Sequence, residues 1–138
     1  MKVLVDTSVW SLALRRPHGA ALEEPQRKAV SALSDLVQDG RAVLLGAIRQ
    51  ELLSGIKLQT QFDALQSALA AFDDVPLGMQ DYTRAAQFFN LCRANGVQGS
   101  NTDFLICAAA VNHDVPIFTL DQDFGNYQKW LPIRLYAV

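Results

Sequence analysis

Short aliphatic runs alternate with longer stretches of helical period along the whole chain. Glu24-Pro25 begins a predicted helix that runs to Gln38, with Gly40 just past its end, as expected for proline in a first turn and glycine after a last one. The alternation is typical of βα units around a parallel sheet. It predicts one α/β domain over residues 1–138, with strand candidates at residues 2–5, 42–45, 75–77, 116–120 and 133–136.

One predicted helix has a narrow apolar stripe in which hydrophobic residues recur at steps of four and three. A stripe of this kind usually faces the core of its own domain. Its near-heptad spacing suits a partner helix or a second copy of the chain equally well, so both interpretations stay open. The stripe consists of Leu58, Phe62, Leu65, Leu69 and Phe72.

Acidic residues fall where predicted strands end and predicted helices begin. Asp6 directly follows Val3-Leu4-Val5, and Asp121 directly follows the run at 117–120. Asp103 precedes a strongly apolar helix, and Glu51 lies on the helix after the second strand. Because ligands of open parallel sheets bind at the carboxyl ends of the strands, we expect these four acids to meet at one edge.

Each acid also has a purely structural explanation. Asp6, Asp103 and Asp121 lie near proposed helix starts, where a carboxylate caps backbone N–H groups and gains roughly 1 kcal/mol. Glu51 lies past its first turn among apolar neighbours, so a solvated face is its alternative. Gathered together, however, ionised carboxylates repel one another, and burying them unpaired costs several kcal/mol per ion. No Lys or Arg adjoins the three aspartates in sequence, which favours an all-oxygen site for Mg²⁺ or Mn²⁺.

Other chemistries have little support in the sequence. The chain lacks the glycine-rich phosphate loops and the G-x-S-x-G elbow, which disfavours kinase-like, dehydrogenase and serine-hydrolase functions. His18 and His113 are the two histidines and are predicted to lie on the surface. Cys92 and Cys107 fall within apolar helical stretches and are predicted to be small core residues.

The charge balance at first argues against a nucleic-acid-binding protein. Twelve basic residues face 14 acidic ones, for a formal charge of −2, whereas proteins that coat nucleic acid usually have a basic surplus. If four acids share one pocket, the bases outnumber the acids elsewhere, so RNA is not excluded. The basic residues predicted to be available for phosphates are Arg15, Arg16, Arg27, Lys28, Arg49 and Lys57.

The N-terminal sequence and the cysteine usage predict a compartment. Asp6 interrupts the first apolar run before it reaches the length of a signal peptide, and two cysteines are too few for a disulfide framework. We therefore expect a cytoplasmic protein without a membrane segment.

Four short motifs, in order along the chain, resemble those of PIN-domain ribonucleases, specifically the small VapC-type toxins of toxin–antitoxin pairs. Each motif is weak alone, but four at family-like separations are specific. They are Asp6-Thr7-Ser8, Glu51-Leu52-Leu53-Ser54-Gly55, Asp103-Phe104-Leu105-Ile106 with the alanines that follow, and Thr119-Leu120-Asp121-Gln122-Asp123-Phe124.

The resemblance implies a three-layer α/β/α domain with a central, mostly parallel sheet of four to five strands. It implies an endoribonuclease that hydrolyses RNA phosphodiester bonds, is neutralised by a cognate VapB-type antitoxin and forms a homodimer. The stripe from Leu58 to Phe72 is then a candidate for the antitoxin groove or the dimer face. The implied catalytic and metal-binding residues are Asp6, Glu51, Asp103 and Asp121, holding Mg²⁺ or Mn²⁺, with Thr7, Ser8 and Asp123 in support.

Two alternative functions follow from the same residues. A metal-dependent phosphatase of the haloacid-dehalogenase kind also begins with an aspartate after its first strand, but it has a second aspartate two residues on, where this chain has Ser8. A non-catalytic PIN-like binding module is expected to lack one or more of the acids, and all four are present.

Overall fold

Three parallel strands form the centre of the structure, a computed structural model that describes residues 1–15 and 21–138. β1 (Val3–Val5) lies between β2 (Ala42–Val43) and β3 (Ile117–Phe118). All residues of the three strands are buried, which explains why their sequences are continuously apolar instead of alternating. Arg16 and His18, two residues considered above, lie outside the described residues.

Helices surround this sheet. The predicted helix from Glu24 to Gln38 is confirmed, with Pro25 in its first turn. None of the described helices is long and apolar enough to cross a membrane. The helices are α1 (Thr7–Leu14), α2 (Glu24–Gln38), α3 (Gly46–Leu53), α4 (Gln59–Leu69), α5 (Met79–Ala94), α6 (Asn101–Asn112) and α7 (Asp123–Gln128).

The order of the strands determines where a ligand-binding crevice lies. The chain passes from β1 to β2 on one side through α1 and α2, and then to β3 on the other side of β1 through α3 to α6. Since connections between parallel strands are almost always right-handed, the connecting helices lie on both faces of the sheet, with α1 packed on α2 and α3 and with α5 packed on α6. This is the expected three-layer α/β/α fold. The reversal leaves a crevice at the carboxyl ends of β1 and β3, which is the ligand-binding position in such sheets.

The sheet of the described residues has three strands, fewer than the four to five that we expected. The candidate at 75–77 is reduced to a single parallel bridge between Leu44 and Asp74, and the candidate at 133–136 to one between Ile117 and Leu135. Both bridges lie at the edges of the sheet. In the first, the N–H of Val75 donates to the carbonyl oxygen of Leu44 at 2.8 Å, and the pairing does not continue as a strand in the described part of the chain.

The apolar stripe mainly serves the core. Leu65 and Leu69 are buried, and the ring of Phe72 packs on that of Trp10 with centroids 4.9 Å apart. Leu58 immediately precedes α4 and is 59% exposed. The surface available to a partner is therefore confined to the N-terminal part of the stripe and the positions beside it. Cys92 and Cys107 are buried and unpaired, as expected.

Arg49 is a structural residue, and the prediction that it is available for phosphates is wrong. Its guanidinium donates to Asp74 Oδ1 at 2.9 Å and to the carbonyl oxygens of Leu69 and Phe72 at 2.9 and 2.7 Å. These bonds join α3 to the end of α4 and to the bridge at Asp74. The partners lie 20 to 25 residues away in sequence, so local charge patterning could not identify them.

Candidate active site

Asp6 is fixed at the end of β1 by both backbone and side-chain contacts of its neighbours. Its N–H donates to the carbonyl of Phe118, the last residue of β3, at 2.8 Å. The indole N–H of Trp10, one turn into α1, donates back to the carbonyl of Val5 at 3.1 Å. The strand end and the helix start therefore have one defined geometry, and Asp6 lies in the crevice between β1 and β3.

The carboxylate of Asp6 links the two strand ends. Its Oδ2 accepts hydrogen bonds from the hydroxyls of Ser8 and Thr119, each at 2.8 Å. The Ser8 hydroxyl in turn accepts the N–H of Leu120, and the Thr119 hydroxyl accepts that of Asp121, each at 3.0 Å. Because each hydroxyl is already an acceptor from the backbone, its one proton is directed at Asp6. These bonds compensate for burying a charge in a residue that is only 5% exposed.

Capping explains little of this arrangement. Asp6 does cap α1, but through a long 3.4 Å contact from the N–H of Ser8. Asp103 caps nothing, because the hydroxyl of Ser100 accepts the N–H of Asp103 at 3.0 Å and provides the cap of α6. Asp121 accepts the N–H of Asp123 at 2.9 Å on Oδ1, which organises the start of α7. Capping therefore does not account for the Asp103 carboxylate.

Three aspartates converge at this edge of the sheet. Asp103, Asp121 and Asp123 each contribute a carboxylate oxygen to a set whose members all lie within 4.8 Å of one another. Burial raises the pKa of Asp103, and the negative charges of Asp6 and Asp121 raise it further, while the hydrogen bond from Tyr127 opposes the rise. The charge repulsion expected from the sequence is thus present in the folded chain.

Glu51 lies at the border of this cluster. It is on the second turn of α3, and its side chain is exposed. Its pKa is raised by partial burial and by the charges of Asp6 and Asp103, so it lies within electrostatic reach of both acids. Gly55, with φ of +82°, adopts the left-handed conformation that favours glycine and directs the chain away just beyond α3.

The predicted residues therefore divide into two groups. Asp103 and Asp121 belong to the close set, together with Asp123, which was only a supporting candidate. Asp6 and Glu51 lie within electrostatic reach of Asp103 but outside that set. The two predicted hydroxyl residues also differ: Ser8 binds Asp6, whereas the buried hydroxyl of Thr7 has no hydrogen-bond partner among the described residues.

Two hydrogen-bond donors of this site were not predicted from the sequence. Thr119, which binds Asp6, belongs to the T-x-D-x-D-F segment, so its position in that motif was an available signal. Tyr127, whose hydroxyl binds Asp103 at 2.7 Å, lies three residues after Phe124 and has the spacing of an ordinary core aromatic. Its partner is 24 residues away, and no local pattern indicates the contact.

The cluster fits a hard divalent cation. Within residues 1–15 and 21–138, the salt bridges involve other acids, namely Glu24, Asp74, Asp81 and Asp114, so no basic side chain neutralises the site. The donors are carboxylate oxygens, the ligands that Mg²⁺ and Mn²⁺ prefer. The buried hydroxyl of Thr7, which follows Asp6 in sequence, has no hydrogen-bond partner among the described residues and is a further oxygen without a protein partner.

His113 does not belong to this site. It caps the C-terminus of α6, at the opposite end of that helix from Asp103, and its Nε2 lies 3.5 Å from Asp81 Oδ1. Asp81 also accepts the N–H of Gly78 and the side-chain amide of Asn112, each at 2.9 Å. His113 therefore contributes to the packing of α5 on α6.

The fold and the site together define a doubly wound α/β domain with an acidic centre at its switch point. The model of the PIN domain family matches residues 3–129. The chain therefore belongs to the PIN domain family.

Individual relatives agree with this assignment. The chain is 27% identical over 145 aligned positions to ribonuclease VapC18 of Mycobacterium tuberculosis, covering 97% of this chain and 98% of the relative. Its fold is similar to that of FitAcB from Neisseria gonorrhoeae, with a TM-score of 0.74, 20% identity, and coverage of 98% and 96%. VapBC2 from Rickettsia felis, solved with a promoter DNA fragment, gives a TM-score of 0.73, 14% identity, and coverage of 99% and 98%.

The electrostatic strain predicts an unusual pH dependence of stability. Because the pKa values of Glu51 and Asp103 are raised by folding, the native state binds more protons than the unfolded state above their ordinary values of 4.5 and 3.8. The free energy of unfolding should therefore fall as pH rises through that window. In metal-free buffer at pH 7, Asp103→Asn should be at least as stable as wild type, as measured by urea unfolding.

The matched control is Asp35→Asn, on the exposed face of α2, whose pH profile should be parallel to that of wild type. A profile of Asp103→Asn that is parallel to wild type from pH 4 to 8 would contradict the repulsion inferred for the site.

Proposed function

We propose that the protein is a Mg²⁺- or Mn²⁺-dependent endoribonuclease that acts as the toxin of a VapBC-type pair. The observation that supports this most directly is the convergence of Asp103, Asp121 and Asp123 beside the buried Asp6, with no basic side chain among the described residues to neutralise them. Such a centre attracts a divalent cation. The resemblance to PIN-domain ribonucleases implies that the reaction at this centre is the hydrolysis of RNA.

Each acid has a role in this proposal. Asp6, Asp103 and Asp121 would hold the cation, Glu51 would contribute from the border of the site, and Asp123 is the further ligand that the geometry favours. A divalent cation bound there lowers the pKa of water and neutralises charge on a phosphoryl oxygen. Glu51 has a raised pKa and an exposed carboxylate, so it is suited to accept a proton from the attacking water.

The hydroxyl residues position these acids. Ser8 and Thr119 hold Oδ2 of Asp6, which leaves its other oxygen without a donor among the described residues. Thr7, whose hydroxyl makes no hydrogen bond of standard geometry among the described residues, lies close enough to Glu51 to favour its ionised carboxylate and so to lower its pKa. Membership of the PIN family favours this nuclease over the phosphatase alternative, and the similarity to a ribonuclease over nearly the full length of both chains supports RNA as the substrate.

Replacement of the acids tests the nuclease. Asp6→Asn and Asp103→Asn keep the shape of the side chain but remove its charge, so each should lower RNA cleavage in Mg²⁺ or Mn²⁺ by about 100-fold or more, the scale of a lost transition-state interaction. Cleavage of a total cellular RNA pool, followed by sequencing of new 5′ ends, measures this. Asp35→Asn should cleave like wild type.

Two results would contradict the nuclease. One is equal cleavage by wild type and by both folded site variants, which would indicate a contaminant. The other is a wild-type protein that leaves every RNA intact with either metal, which would favour the non-catalytic binding module.

The partner surface that we propose for the antitoxin is a groove of about 650 Å³ between the end of α1 and the start of α4. Leu14 and Leu58 line it and are both exposed. Arg15 and Lys57 are the charged residues among those that line it, and both are basic. The groove therefore suits an apolar segment flanked by acidic side chains, and the antitoxin is the partner that the resemblance implies.

A homodimer and a cytoplasmic location also belong to this proposal. A second apolar surface lies between α5 and α6, in a groove of about 420 Å³ lined by Tyr82, Phe89 and Leu105. No charged side chain lines it among the described residues, as expected of a surface that a second copy covers. Cytoplasmic residence follows from RNA as the substrate and stays a prediction.

A substitution in the first groove tests the antitoxin site. Leu58→Asp places a charge at an exposed position outside the core, so the fold should persist while affinity for the antitoxin falls by about tenfold or more, the scale of a lost interface anchor. The probe is a candidate antitoxin, the product of a short reading frame adjacent to the gene of this chain if one is found there, with binding measured by calorimetry. Sedimentation velocity of the same samples reports the oligomeric state.

Met79→Asp is the matched control, because Met79 is 85% exposed and lies on α5, outside the groove. Wild-type affinity of Leu58→Asp for the antitoxin would place the partner elsewhere on the toxin.

A further inference from the structure

Tyr127 is a buried tyrosine whose hydroxyl serves the acidic centre. Its ring packs between those of Phe104 and Phe124, with centroids 5.0 and 5.2 Å away, and its side chain is fully buried. A phenylalanine would fill the same space. A buried hydroxyl is costly unless it has a hydrogen-bond partner, and here the partner is Oδ2 of Asp103, at 2.7 Å.

A glycine makes room for this hydroxyl. A Cβ at position 99 would lie 2.8 Å from Cζ of Tyr127 and closer still to its oxygen. The backbone of Gly99 does not have a positive φ, so its conformation does not require glycine. The absence of a side chain at position 99 is therefore a matter of space, and it allows Tyr127 to reach Asp103.

The hydrogen bond restrains the carboxylate of Asp103. Tyr127 is the one side-chain donor to that carboxylate within the described part of the chain. A tyrosine hydroxyl is protonated at neutral pH, so it acts as a donor to the carboxylate. Carboxylates that ligate metals are commonly held in this way by an outer hydrogen bond, which fixes their orientation.

Asp6 is restrained by the same construction. The hydroxyls of Ser8 and Thr119 bind one of its oxygens, as the hydroxyl of Tyr127 binds one oxygen of Asp103. Asp6 and Asp103 are thus each restrained by hydroxyl donors. The oxygen of Asp103 in the close set with Asp121 and Asp123 is accordingly held in place.

We propose that Tyr127 is a positioning residue that orients the Asp103 carboxylate toward a divalent cation shared with Asp121 and Asp123. In this proposal, the absence of a side chain at Gly99 leaves the space that the Tyr127 hydroxyl needs to reach Asp103. This inference rests on the proposed function, because it assumes that the three aspartates bind a cation.

The test is the affinity for Mn²⁺ alone, measured by electron paramagnetic resonance of the free ion. Tyr127→Phe keeps the ring and removes the donor, so Mn²⁺ affinity should fall about tenfold, the lower end of the cost of losing an outer-shell partner. Gly99→Ala should weaken Mn²⁺ binding in the same direction. Tyr136→Phe is the matched control: Tyr136 packs on Phe118 with centroids 5.4 Å apart, and its variant should bind Mn²⁺ like wild type.

RNA cleavage supplies the second readout. At limiting Mn²⁺, the kcat of Tyr127→Phe should be lower than that of wild type while its KM for RNA is unchanged, and saturating Mn²⁺ should restore kcat. A loss that saturating Mn²⁺ does not restore would indicate a structural role and overturn the proposal, as would an equal loss in Tyr136→Phe.

These measurements distinguish a failure of the positioning role from a failure of the proposed metal site. If wild type binds Mn²⁺ and Tyr127→Phe binds it within twofold of wild type, the positioning role is wrong and the proposed metal site stands. If wild type binds no Mn²⁺, the metal site and the positioning role are both wrong.

Discussion

Repulsion among carboxylates at one edge of the sheet is the constraint on which the rest of the site depends. Two unit charges separated by 4.8 Å, the limit of the close set, repel by about 3 to 4 kcal/mol at the effective dielectric of a protein surface. The surrounding residues lower this cost without removing the charge. Hydroxyls of Ser8, Thr119 and Tyr127 donate to the acids, and the buried strands and α6 supply the hydrophobic stability that tolerates the remainder.

The same constraint connects the expected ligands. Both the pocket and RNA are negatively charged. A cation would therefore have to neutralise the centre before a phosphate of RNA approaches it. The groove beside α4 is lined by basic and not by acidic residues, so an acidic partner bound there would not meet the repulsion that acts within the centre. Basic and acidic charge are therefore separated between the groove and the centre.

Much of this centre was predictable because its acids lie where apolar runs of the sequence end or begin. Asp6 follows three buried strand residues, and Asp103 opens a helix that is buried on nearly every side, so sequence position alone placed both at the sheet edge. The edge strands were not predictable, since a single bridge has no periodicity. Arg49 and Tyr127 could not be assigned because their partners lie 20 or more residues away and are set by tertiary packing.

The central claim is that this acidic centre binds a divalent cation in the folded state. Thermal unfolding of the wild-type chain with increasing Mn²⁺ tests it most directly, because a ligand that binds only the native state stabilises it by about 2.7 kcal/mol at one hundred times its dissociation constant. We expect the midpoint temperature of unfolding to rise with the logarithm of the Mn²⁺ concentration, and to rise much less in Asp121→Asn. A midpoint that is unchanged by millimolar Mn²⁺, or that rises equally in both proteins, would contradict it.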